Sequence, residues 1–79
     1  MIIDTYLVTG NVPLAKRYIE LNGIVRLEVC RHHLGDKGFQ LWEMTGETTG
    51  LPTEFRLKRE AIAAGKRIAE FTGLPLVIL

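Results

Sequence analysis

The sequence predicts a small α+β domain in which a strand meander is followed by a single amphipathic helix and a last apolar strand. Three observations carry that expectation. The first half holds alternating runs rich in β-branched residues, the apolar period changes from two to nearly four after residue 54, and the last residues are dominated by Leu, Val and Ile. With 79 residues there is room for one core, so residues 1–79 are read as a single domain. A composition that is 47% hydrophobic and 24% charged is that of a globular chain and excludes a disordered or fibrous one.

Met1 to Thr9 mixes alternation with β-branched and aromatic side chains and reads as an N-terminal strand, ended by Gly10-Asn11-Val12-Pro13. Between Lys16 and His33 two runs flank Asn22-Gly23, a pair suited to the positive φ of a hairpin turn. A two-residue turn would mix apolar and charged residues on both faces. A three-residue loop, Leu21-Asn22-Gly23, instead sets Ile19 opposite Val25, Tyr18 opposite Arg26 and Lys16 opposite Glu28, so a β-hairpin in that register is expected. Leu34 to Gly38 supplies a second turn, and Phe39 to Thr45 a third strand. Phe39 and Leu41 join its apolar face, while Gln40, Trp42 and Met44 point the other way. The sheet so assembled is antiparallel.

Gly46 to Thr53 is a loop by composition. From Glu54 or Lys58 to Thr72, Leu57, Ala61, Ala64, Ile68 and Phe71 recur at spacings of 4, 3, 4 and 3, which predicts an amphipathic helix covering the apolar face of the sheet. Gly73 and Pro75 stop it. Ala61, Ala64 and Gly65 lie within the apolar stripe, where small side chains let a helix lie close on a sheet. Leu74 to Leu79 is expected to form a last strand, paired beside the N-terminal strand or across a dimer interface.

Ten Lys plus Arg against nine Asp plus Glu leave a net charge of +1, so overall charge makes no case for nucleic acid. The longest apolar run, Leu74 to Leu79, is far short of the roughly 20 residues of a membrane-spanning helix. A lone cysteine, Cys30, and the lack of a charged-then-apolar leader point to the reducing cytoplasm.

Cys30, His32 and His33 are all of the chain's Cys and His residues. On a strand Cys30 and His32 share a face and His33 does not, which leaves two soft ligands where zinc takes three or four, unless Asp36, another carboxylate or a second subunit assists. A Cys30 nucleophile activated by His32 lacks a third orienting group nearby. Gly46-Glu47-Thr48-Thr49-Gly50 lacks the lysine and the spacing of a phosphate loop. No cofactor, metal or enzymatic activity is therefore expected.

The candidate binding residues are Tyr18, Arg26, Gln40, Trp42 and Met44, which the hairpin register gathers on the face that the helix leaves open. Aromatic, Met and Arg side chains together are the residue mix of protein interfaces. The competing reading is that the N-terminal segment or the last strand folds over Trp42 and makes it core. A mildly basic stripe, Arg56, Lys58, Arg59, Lys66 and Arg67, is a candidate phosphate contact, although solvated helix faces carry the same residues. The expected function is a non-enzymatic protein-binding module, an adaptor, regulator or inhibitor of a larger protein, that could act as a homodimer. The alternative is a small nucleic-acid-binding domain using the basic helix or the aromatic sheet face.

Overall fold

A computed structural model describes residues 2–32, 37–46, 48–49 and 52–79. The chain is α+β, with a sheet packed on an amphipathic helix as expected, but the segment from Ile2 to Asn22 adds two further helices where strands were expected. The order is α1 (Ile2–Val8), α2 (Val12–Asn22), β1 (Arg26–Arg31), β2 (Phe39–Thr45), β3 (Thr48–Thr49), β4 (Thr53–Phe55), α3 (Lys58–Thr72) and β5 (Leu76–Ile78). The turn expected over Leu34 to Gly38 lies mostly outside the described residues, as do His33 and Asp36. The stretch expected as a loop over Gly46 to Thr53 instead holds β3 and the start of β4, and the following helix begins at Lys58, because Glu54 belongs to β4.

Neither the N-terminal strand nor the Lys16–His33 hairpin forms, and capping chemistry explains both corrections. Gly10 takes φ 78°. Its N–H donates to the Leu7 carbonyl at 3.0 Å, while the Asn11 N–H donates to Tyr6 at 2.8 Å, the paired bonds that close a helix on a left-handed residue. Asn11 then turns round to start α2, accepting from the Leu14 N–H on its side-chain oxygen at 3.2 Å, with Pro13 in the first turn. Gly23, at φ 65° and ψ 31°, repeats the closing motif: its N–H donates to Glu20 and the Ile24 N–H to Ile19. Asn22-Gly23 is thus a helix stop. A hairpin does exist one element later, where β1 and β2 pair antiparallel with Val29 opposite Leu41 and Glu28 opposite Trp42.

The third strand occupies the predicted residues and is the centre of the sheet. It has β1 on one side and both β3 and β4 on the other, and β5 lies beyond β1. β5 runs parallel to β1, so the sheet is mixed rather than antiparallel throughout. β4 and β5 point the same way, and α3 is the crossover between them, lying over β1 and β2. The absence of an N-terminal strand leaves β1 as the neighbour of β5.

Alternation sorts the sheet into two faces. Leu27, Val29 and Leu41 join Ile3 of α1, Ala15 of α2, Ile24, and Ala61, Ala64 and Ile68 of α3 in one buried cluster. All three helices therefore lie on the same side. A Cβ on Gly65 would come within 2.8 Å of Leu76 Cδ1 and 3.4 Å of Leu41 Cδ1, so the bare backbone there sets how closely α3 approaches the sheet. No described helix is long and apolar enough to cross a membrane.

Asp4 of α1 holds α3 through a two-pronged bond, with Arg67 Nε on Oδ1 at 2.8 Å and a terminal guanidinium nitrogen on Oδ2 at 2.9 Å. The paired carboxylate raises the arginine further above its ordinary value. Both side chains are partly exposed, so the pair is worth on the order of 0.5 kcal/mol. A double-mutant cycle of Asp4→Ala and Arg67→Ala by urea unfolding should give a coupling of that size that fades in high salt.

Candidate partner-binding face

The sheet face away from the helices presents alternate residues of β1 and β2: Arg26, Glu28 and Cys30 beside Met44, Trp42 and Gln40. β4 adds Glu54 next to Gln40, and β5 adds Val77 next to Glu28. No described helix or strand lies over this face. The N-terminal residues form α1 and α2 on the opposite side, and β5 lies in the plane of the sheet, so neither segment covers Trp42.

Hydrogen bonds hold the face in one arrangement. The Trp42 indole N–H donates to Gln40 Oε1 at 3.3 Å, and Gln40 Nε2 donates in turn to Glu54 Oε1 at 3.1 Å. The other Glu54 oxygen lies 3.5 Å from His32 Nε2. Gln40 is only 3% exposed, packed among these neighbours with its amide bonded at both ends. A tryptophan anchored through a buried amide keeps its ring orientation without a ligand, which lowers the ordering cost of binding. At the other end of the face Arg26 Nε bonds Glu28 Oε2 at 2.6 Å, leaving an arginine and a carboxylate locked side by side.

Four of the five predicted binding residues, Arg26, Gln40, Trp42 and Met44, are thus brought together. Tyr18 is not among them. It lies on α2, its ring edge-on to Tyr6 with centroids 6.1 Å apart, and its hydroxyl bonds Glu43 on the helix-covered side. Burial and the adjoining Glu43 charge raise its phenol above the ordinary value. The residues that sequence reasoning missed are Glu28 and Glu54. Glu28 was legible, since it alternates with Arg26 and Cys30. Glu54 carried no such signal, because its three-residue strand runs almost directly into α3.

Of the basic stripe, Arg56, Lys58, Arg59 and Lys66 are exposed at the start and on the outer side of α3, whereas Arg67 is engaged by Asp4. Cys30 is half-buried and sits in register with Gln40. Among the described residues no three His, Cys, Asp or Glu side chains come together as a metal would require. The chain matches no family model, no curated protein and no solved structure.

Proposed function

We propose that this chain is a protein-binding module whose uncovered sheet face, centred on Trp42, receives the partner. The observation that carries this reading is the Trp42–Gln40–Glu54 chain of hydrogen bonds, which fixes a large aromatic side chain on a face that no described element covers. Binding energy at protein interfaces concentrates in Trp and Arg anchors surrounded by polar groups that exclude water. Glu28 and Glu54 give the face a mixed charge beside Arg26, which suits a protein surface better than a phosphate backbone.

The test compares proteins retained by the immobilised wild-type chain with those retained by Trp42→Ala and Arg26→Ala, with circular dichroism showing that each variant is folded. A partner held by the wild type should be lost at least tenfold with Trp42→Ala. Equal retention by all three chains would remove the site assignment. Saturable quenching of Trp42 emission by oligonucleotides, weakening steeply with salt, would replace it with the nucleic-acid reading.

A further inference from the structure

The two edges of the sheet are built differently. On one side the chain ends the sheet with β3 and β4, two and three residues long, and β4 presents Glu54, whose side chain is 58% exposed. β5 is as short as β4, at three residues, so charge is what separates the two edges: a charged side chain is one way proteins keep an edge from pairing. The β5 edge has none. Leu76 to Leu79 carries no charged side chain and no proline, yet Val77, Ile78 and Leu79 are 37%, 45% and 68% exposed.

The backbone of β5 is half used. The Leu27 N–H donates to the Pro75 carbonyl, and the Leu79 N–H donates to the Val29 carbonyl, both at 2.9 Å. Residues 75, 77 and 79 therefore turn their polar groups toward β1. The pleat aims the N–H and C=O of Leu76 and Ile78 outward, where no described strand takes them up.

We infer that β5 pairs antiparallel with β5 of a second copy about a two-fold axis at Val77. The strand is complementary to itself in this register. Leu76 then faces the partner's Ile78, and the outward groups of these residues bond each other on both sides of the axis. Val77 faces the partner's Val77 at the non-hydrogen-bonded position, where cross-strand side chains come closest. Every opposed pair is apolar, so the axis brings no like charges together, the penalty that two-fold symmetry imposes on a charged edge. The two sheets become one, with both Trp42 faces on the same side and both α3 helices on the other. A pairing this short falls below the roughly 800 Å² per partner of a standard interface, so a weak dimer in concentration-dependent exchange with the monomer is expected.

A cysteine trap tests the register. Cα atoms at the axis would lie about 4.5 Å apart, within reach of a disulfide. In a Cys30→Ser background, Val77→Cys should oxidise to a covalent dimer at least tenfold faster than Leu79→Cys, which is more exposed but four residues from its own mate across the axis. Sedimentation equilibrium of the unmodified chain should show its mass doubling with concentration. Val77→Lys should hold it monomeric, because the two ammonium groups meet at the axis while each can pair with Glu28 beside it. Equal cross-linking of the two cysteine variants, a monomer up to about 1 mM, or a dimer indifferent to Val77→Lys would each overturn the inference. Trp42→Ala should leave the dimer intact, so this result stands or falls apart from the partner-binding reading.

Discussion

Replacing Leu41 by alanine should cost about 3 kcal/mol of stability and lower the melting temperature by roughly 10 to 20 °C. Leu41 is fully buried at the middle of β2, opposite Val29 on one side and Thr53 on the other, and it reaches toward the backbone of Gly65 on α3. The cavity left behind would sit where the crossover helix meets the sheet, and β-strand backbone on both sides limits its collapse. Trp42, the next residue, points to the other face. Trp42→Ala should therefore leave a cooperative unfolding transition while removing the anchor of the candidate site. Urea denaturation of the two variants side by side measures both, and a Leu41→Ala cost below about 1 kcal/mol would mean that the core lies elsewhere.

From Phe39 onward, β2, α3 and the final strand were legible, whereas the two- and three-residue strands β3 and β4 are too short to leave a pattern. Phe39 to Thr45 is a short run of strand-forming residues bounded by Gly38 and Gly46, with Phe39 and Leu41 alternating against Gln40, and α3 repeats its small and apolar residues at a strict helical spacing that no strand register can satisfy. The first half was misread for a physical reason. α1 is seven residues long and rich in Ile, Thr, Tyr and Val, which favour strands, and its helical form rests on tertiary burial of Ile3 and on closure by Gly10. Asn22-Gly23 served equally well as a hairpin turn or a helix stop, since both require a left-handed residue. What distinguishes them is Val12, Ala15, Tyr18 and Ile19, a helical stripe that local alternation in the same segment concealed. The open face survived this error because it depends on β1 and β2 alone. Only Tyr18, placed by the false hairpin, was lost from it.

Tyr18 has a different task, and it sets the second large effect. Glu43 is 8% exposed on the helix-covered face, opposite Leu27, with the Tyr18 hydroxyl donating to its carboxylate. Burial pushes the carboxyl above its ordinary value of about 4.5, and the Tyr18 bond draws it partly back. A carboxyl whose pKa is raised on folding binds more protons in the folded state than in the unfolded one. Stability from this group is therefore highest in acid and falls as pH rises from about 4.5 through the raised value, the reverse of a salt-bridged carboxylate. Glu43→Gln keeps an acceptor for Tyr18 and removes the charge, so it should stabilise the chain at pH 7 and match the wild type near pH 4. Tyr18→Phe should do the opposite, costing about 2 kcal/mol at neutral pH by leaving a buried carboxylate without its donor, and less in acid. It should also extend the pH-dependent loss to higher pH, because the pull that lowers Glu43 is gone. Thermal melts of the three chains across pH 4 to 8 decide it. A Glu43→Gln variant that is less stable than wild type at pH 7, with the same slope against pH, would show that the carboxylate is stabilised in place and that burial does not dominate its ionisation.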